Sequence, residues 1–231
     1  MAKVLTLERP VYGVGEAAEL LGLRSDKVHG WLDGYTRKRV FYEPVIREQS
    51  TGSKIVTWGE FVELGYLREY RRAGVPLQRL RPVIQTLRKR FETPYPLAHY
   101  RPYIDGLELV MKVQEEQGIP STIAMVVRTG QQLMLSESVE RFLRKVSFAP
   151  TDASTDEVAV RMRPAGKASP VVIDPLLRFG RPTVAGVATE RLWELNDAGE
   201  SLEDIAGAYD LDLHLVEAAV AYEEQQRSVA A

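Results

Sequence analysis

A chain of 231 residues, 45% hydrophobic and 27% charged, can bury a hydrophobic core in one large domain or two to three small ones. It has no cysteine, which excludes a disulfide framework, a zinc finger and a thiol nucleophile. The opening MAKVLTLERP lacks the apolar stretch of a signal peptide and no run approaches 18 apolar residues, so a soluble, cytoplasmic protein with no membrane partner is expected. The net charge of −2 hides an asymmetry. Residues 1–92 carry 17 basic and 11 acidic side chains, residues 93–181 carry 11 and 10, and residues 182–231 carry 2 and 11. A basic head and an acidic tail predict different partners for the two ends.

In chain order, spacing predicts a short helix over 15–21 and a second over 26–32 with Ser25 as its N-cap. Residues 41–46 and 55–57 read as strands joined by the polar loop REQSTGSK. Thr57 then caps a helix in which Phe61, Leu64, Leu67 and Tyr70 recur about three residues apart and Gly74 ends the run. A further helix over 77–91 tolerates Pro82 only near its first turn. ETPYP, with two prolines, is the expected boundary.

The middle changes period. Residues 123–128 and 131–135 flank Thr129-Gly130, a hairpin signature. Residues 138–146 read as a helix, 157–163 alternate as a strand should, and Val171–Ile173 is a short apolar run. TDASTDE (151–157) reads as a flexible surface loop. Three helices follow: TERLWELNDAG, then SLEDIAGAY capped by Ser201, then HLVEAAVAYEEQ, with QQRSVAA expected to fray. The expected fold class is α+β, mainly helical. Its parts are a winged helix-turn-helix at 1–92, a small α+β region with an antiparallel sheet at 93–168, and a three-helix, helix-turn-helix-like domain at 169–231.

The stretch YGVGEAAELLGLRSDKVHGWL (12–32) carries the sharpest motif. A helix-turn-helix needs a small residue where its second helix crosses the first, and a turn glycine able to become left-handed. An apolar residue then follows the glycine. Ala18, Gly22 and Leu23 fill those slots, and Val28 and Trp31 form the inward face of the second helix. An ordinary helical hairpin would satisfy the same spacing, so the surroundings decide. Arg24, Ser25, Lys27 and His29 lie at the start of the second helix, where side chains reach a major groove. Arg37, Lys38 and Arg39 follow in TRKR, and Arg47 and Lys54 fall near the tip of the expected wing. These nine residues are the expected contacts to double-stranded DNA.

Over residues 12–91, about a third of the chain, YGVGEAAELLGL, the WL at 31–32 and TWGEFVELGYLREYRRAGVPLQRLRPVIQTLRKRF resemble the winged helix-turn-helix of the MerR superfamily. Where MerR proteins place a long dimerisation helix, this chain passes through ETPYP into a sheet. The tail VVIDPLLRFGRPTVAGVATERLWELNDAGESLEDIAGAYDLDLHLVEAAVAYE is similar to a small domain of unknown function found in VapB-like antitoxins. Asp174-Pro175, Gly180-Arg181-Pro182 and Gly186 match its pattern, as do Gly199, Ile205, Tyr209, Val216 and Ala219. The family threonine falls one residue late, at Thr189. Head and tail together resemble an antitoxin, which implies an operator DNA, a PIN-like ribonuclease toxin and a homodimer as partners.

From the residues alone, the tail is also helix-turn-helix-like, with Ser201 as cap, Ala206 in the small slot, then Leu211 and Val216, but Asp210 stands where the turn glycine belongs. Nine net negative charges repel a duplex that carries one charge every ~1.7 Å of axis, so this end is assigned to protein contacts. Arg178, Phe179 and Arg181 are candidate toxin or dimer contacts, unless Asp174 pairs with one of the arginines. Arg227 is a fourth candidate, able to reach an acidic toxin pocket.

His29, His99 and His214 are scattered outside any metal-binding spacing, and Gly13-Val14-Gly15 lacks the strand and further glycines of a phosphate site. No enzyme activity, cofactor or metal is expected. Three readings stand at this point: an autorepressing antitoxin, a MerR-like regulator sensing a small molecule, and an interaction adaptor that never meets DNA.

Overall fold

A computed structural model describes residues 6–99, 107–116, 118–119, 126–129, 132–151 and 154–230. The protein is mainly helical α+β with small two-stranded antiparallel sheets. Among the described residues no helix is long and apolar enough to cross a membrane. Packing divides the chain into one unit of residues 1–143 and 148–159 and another of 144–147 and 160–231. Of the segment 93–168, residues 144–147 and 160–168 fall in the second unit.

In the first unit, β1 (Pro10–Gly13) leads directly into α1 (Val14–Leu20), followed by α2 (Ser25–Asp33). A strand thus does precede Gly13-Val14-Gly15, but it pairs antiparallel with β4 (Ile55–Thr57). Between them, β2 (Tyr35–Arg37) and β3 (Val40–Tyr42) form a hairpin of their own. Expected strands at 41–46 and 55–57 are therefore not partners. Residues 43–54 instead fold back as a loop.

The core of this unit is α3 (Trp58–Arg72). Its start is a capping box: the Glu60 N–H donates to Thr57 Oγ1 (3.3 Å) and the Thr57 N–H to Glu60 Oε2 (2.8 Å). Trp58, Phe61, Val62, Leu64, Tyr66 and Leu67 are fully buried, and Glu60 and Glu63 are buried with them, so the first part of α3 is enclosed on all sides. The Phe142 ring of α6 (Glu137–Leu143) lies so close over Gly65 that a Cβ there would collide with it. The Trp58 indole N–H donates to the Ala159 carbonyl (2.7 Å). α4 (Leu77–Phe91) accommodates Pro82 in its second turn, one turn deeper than expected, at the loss of one helical hydrogen bond.

α5 (Leu107–Glu116) is fastened to β5 (Val126–Thr129) by Gln114, whose side chain both donates to the Val126 carbonyl and accepts from its N–H (2.9 Å each). β5 pairs with β6 (Gln132–Leu135), with Thr129 opposite Gln132. The expected strand residues 123–125 and the turn at Gly130 lie outside the described residues. Within TDASTDE, Thr151 and residues 154–157 are strand rather than loop: β7 (Val146–Thr151) pairs with β8 (Ser154–Met162), and 152–153 lie outside the described residues. Ladder pairing overrides the polar composition there.

In the second unit, β9 (Thr183–Val184) pairs with β10 (Val187–Ala188), and α7 (Thr189–Asp197), α8 (Leu202–Tyr209) and α9 (Leu213–Ala230) enclose a core of Val171, Val184, Leu192, Ile205, Val216 and Ala219. Ser201 caps α8 as expected, accepting from the Asp204 N–H (3.1 Å). α9 continues through the segment expected to fray as far as Ala230, and Ala231 lies outside the described residues.

Burial shifts the titration of Glu63 in this core. Glu63 is fully buried on α3, and burial pushes its carboxyl up to about 8, although the Leu97 N–H donates to it (2.9 Å). The unfolded carboxyl titrates near 4.5, so between pH 4.5 and 8 the folded state holds a proton that the unfolded state has lost. Stability from this group is complete below pH 4.5 and falls as pH rises toward 8, on the order of 1 kcal/mol per pH unit. Glu63→Gln, which keeps the acceptor for Leu97, should flatten that slope in urea unfolding measured from pH 5 to 8; an unchanged slope would assign the pH dependence to other groups.

Candidate nucleic-acid interface

The helix-turn-helix forms as its spacing demands. Gly22 takes φ +57°, the Leu23 N–H donates to the Ala18 carbonyl (2.8 Å), and Ala18, Val28, Trp31 and Leu32 are buried. One half of α2 is thereby consumed by packing. Ser25, Lys27 and His29 are exposed on the other half. Ser25 is the first helical residue rather than the cap; Arg24 occupies the cap position, without a side-chain cap bond. Arg24 forks onto Asp26 through Nε and Nη2 (3.0 Å each), and this pairing holds the Asp26 carboxyl below its ordinary value. Both side chains are exposed, so the pair contributes little to stability. It orients the guanidinium at the mouth of the helix.

The β2–β3 hairpin carries the second cluster. Tyr35 stacks on Tyr42 across the strands (centroids 4.9 Å), and the turn consists of Lys38 (φ +49°) and Arg39 (φ +64°). A two-residue turn with both φ values positive normally recruits Asn or Gly. Two long cations in the left-handed region are locally unfavourable by roughly 1–2 kcal/mol each. Arg37, Lys38 and Arg39 are all exposed at this tip, beside Val40 and Phe41, each 53% exposed.

Arg47 is not at any tip. It is buried at the centre of an ion network: Nη1 donates to Asp33 Oδ2 (2.9 Å), Nε to Glu60 Oε1 (2.7 Å), Nη2 to the Ile55 carbonyl (2.9 Å), and Nη1 also to Thr51 Oγ1 (2.8 Å) and the Ser53 carbonyl (3.0 Å). Asp33 further accepts the N–H groups of Thr51 (2.8 Å) and Gly52 (3.0 Å). Burial alone would raise the Asp33 carboxyl, but those N–H groups and Arg47 hold it below its ordinary value. The expected DNA contact at Arg47 is thus replaced by a structural role, because its guanidinium is fully committed inside. Lys54 is exposed, as a wing residue would be, although its loop is not a hairpin.

In the tail, the turn between α8 and α9 repeats the head's geometry. Asp210 takes φ +53° in the glycine slot, and the Leu211 N–H donates to the Ala206 carbonyl (3.0 Å) as Leu23 does to Ala18. The face it presents is different: Asp210, Asp212, Leu213, His214 and Glu217 are exposed at the start of α9. Arg178 and Phe179 are exposed; Arg181 lies 3.5 Å from Glu190. Asp174 pairs with neither arginine but with Arg161 (2.9 Å). The Arg227 guanidinium sits over the Trp193 ring, 3.6 Å from its centroid. Among the described residues no group of three or more His, Asp or Glu is placed to hold a metal ion.

Comparison with known proteins agrees with this two-part layout. Residues 10–84 match a family model described as "Putative DNA-binding HTH domain", and residues 171–222 one described as "Protein of unknown function (DUF433)". A Mycobacterium tuberculosis protein printed as "Uncharacterized protein Rv2308" is 36% identical over 98% of this chain and 95% of its own. The chain belongs to the Rv2308 family. A further relative from that organism, "Putative antitoxin VapB45", is 31% identical over 79% of this chain and 80% of its own. The crystal structure of Rv2018 from Mycobacterium tuberculosis superimposes with a TM-score of 0.73 at 27% identity, covering 94% of this chain and all of the other.

Within this Rv2308-family chain, sequence reading missed the Asp33–Arg47–Glu60 network and the true hairpin. Buried charge leaves no mark in a polar loop, and TRKR contains no turn residue. Removing Arg47 strands two buried carboxylates, so Arg47→Ala should lower unfolding free energy by on the order of 3–5 kcal/mol in chemical denaturation. A loss below about 1 kcal/mol would mean that water or another cation replaces the guanidinium.

Proposed function

We propose that this chain is the antitoxin of a type II toxin–antitoxin module, acting in the cytoplasm as a DNA-binding autorepressor and as the protein inhibitor of a PIN-like ribonuclease toxin. The observation that carries the reading is the division of α2: Val28, Trp31 and Leu32 are buried, leaving Lys27 and His29 exposed. In the proposed complex α2 enters the major groove, while Arg37, Lys38 and Arg39 contact phosphate as a wing. Arg24, Ser25 and Lys54 complete the backbone contacts. A homodimer places two such heads on half-sites about one helical turn apart or a multiple of it.

The acidic start of α9 is the counterpart. It has the geometry of a DNA reader with the charge of DNA itself, which suits a basic protein surface. The toxin is therefore assigned to the face around Asp212, Leu213 and Glu217.

Fluorescence anisotropy on the DNA upstream of the gene, at two salt concentrations, tests the head. Wild type should bind selectively, and Lys27→Ala and Arg39→Ala should each lower affinity and flatten the salt dependence by about one unit of log–log slope. Unchanged affinity and slope in the double variant would overturn the DNA assignment. For the tail, the full chain should inhibit the purified ribonuclease of the neighbouring reading frame, and Asp212→Lys with Glu217→Lys should weaken inhibition at least tenfold. Equal inhibition by that variant would move the toxin contact elsewhere.

A further inference from the structure

Arg24 stands at the N-cap of α2 in an extended conformation (φ −79°, ψ 141°). Its carbonyl accepts the N–H groups of Lys27 (3.0 Å) and Val28 (3.2 Å), and the N–H of the preceding Leu23 is tied to Ala18, so its backbone is fixed to the helix-turn-helix. The side chain is fixed as well. Nε donates to Asp26 Oδ1 and Nη2 to Asp26 Oδ2 (3.0 Å each), and Asp26 Oδ1 also accepts the Lys27 N–H (3.0 Å). Asp26 is thus a brace, held by the helix backbone on one side and gripping the guanidinium on the other.

The edge that Asp26 occupies decides what the other edge can do. A guanidinium is a planar fork of five N–H donors. Asp26 takes the side edge, Nε with Nη2, and leaves the end edge, where Nη1 and Nη2 each direct an N–H outward in parallel. The Arg24 side chain has no other partner among the described residues and is 76% exposed. Two parallel donors fit two acceptors side by side. In a duplex these are the oxygens of a phosphate, or O6 and N7 of guanine, the one base with two acceptors on its major-groove edge.

Charge separates the two. A phosphate contact draws its strength from the net charge of the cation. Arg24 and Asp26 sum to zero, and the Arg24 hydrogen bonds hold the Asp26 carboxyl below its ordinary value, so it stays ionised at neutral pH. A phosphate on the end edge would face a carboxylate of its own sign across the guanidinium. A guanine edge carries no net charge and needs only direction, which the brace supplies. The other expected contacts differ: Lys27, Arg37, Lys38, Arg39 and Lys54 are exposed and have no carboxylate partner among the described residues.

We propose that Arg24 reads a guanine in the major groove, with O6 and N7 accepting from Nη1 and Nη2, and that Asp26 is the positioning residue that aims it. The inference rests on the DNA reading proposed for the head and moves Arg24 from the duplex backbone to a base edge.

The test uses the full chain and the DNA upstream of its gene, with each guanine of the bound segment replaced in turn by 7-deazaguanine, which lacks the N7 acceptor. Anisotropy at two salt concentrations gives affinity and salt slope for wild type, Arg24→Ala and Asp26→Ala. Both positions are exposed, and unchanged circular dichroism spectra establish that the variants fold. Wild type should lose about tenfold in affinity at a particular guanine, and Arg24→Ala should be indifferent to the same replacement. Asp26→Ala should lose most of that effect while binding unrelated DNA more tightly, since it frees a cation. A phosphate contact predicts another pattern: every guanine effect retained in Arg24→Ala, a salt slope flattened by about one unit, and Asp26→Ala tighter on all sequences alike. That result would overturn the base assignment and leave the DNA reading standing. A guanine effect lost in Arg24→Ala but undiminished in Asp26→Ala would overturn the brace. Wild type without selective binding would overturn the DNA reading and the inference together.

Discussion

The arrangement of the head depends on one buried guanidinium. Arg47 joins three elements at once: the C-terminal end of α2 through Asp33, the carbonyl of β4 at Ile55, and the capping box of α3 through Glu60. Glu60 is therefore shared between a helix start and an ion pair, and Asp33 between an ion pair and two loop N–H groups. Replacing a buried ion network by an apolar cluster of similar volume is often neutral in free energy. Such a cluster would not match this network in direction. Five donors in a planar fork accept only one placement of α2 against α3, and that placement determines what the exposed half of α2 presents.

The head and tail use one backbone device for opposite electrostatic ends. In both, a small residue lies under the crossing helix, a left-handed residue makes the turn, and the next N–H returns to the alanine carbonyl. In the head the left-handed residue is Gly22; in the tail it is Asp210, whose short polar side chain tolerates that region better than most. Packing needs are met equally by both. The exposed residues share no such constraint, so one copy of the device offers Lys27 and His29 and the other Asp212 and Glu217. Membership of the Rv2308 family is compatible with both halves, since that relative covers nearly the whole chain.

Among the described residues the left-handed non-glycine positions are Lys38, Arg39, Glu92, Arg178, Phe179, Ala185 and Asp210. Lys38 and Arg39, at the tip of the hairpin whose strands the Tyr35–Tyr42 stack joins, are the two of these proposed to meet DNA.

The apolar periodicity of residues 12–32, the capping pattern Thr57–Glu60 and the Ser201 cap were legible from the sequence, because each depends on residues within one or two turns of one another. So was the opposition of a basic head and an acidic tail, since charge adds without regard to fold. What lay beyond the sequence was every feature that depends on distant partners. Arg47 and Arg37 read as equivalent loop cations; only the convergence of Asp33 and Glu60 buries one and leaves the other in solvent. TDASTDE read as a loop until β7 supplied its ladder partner, and Asp174 read as a partner for Arg178 or Arg181 until β8 brought Arg161 to it. Local pattern determines which elements form. Tertiary packing decides which charges remain outside, because removing a charge from water requires a complementary group that sequence spacing does not reveal.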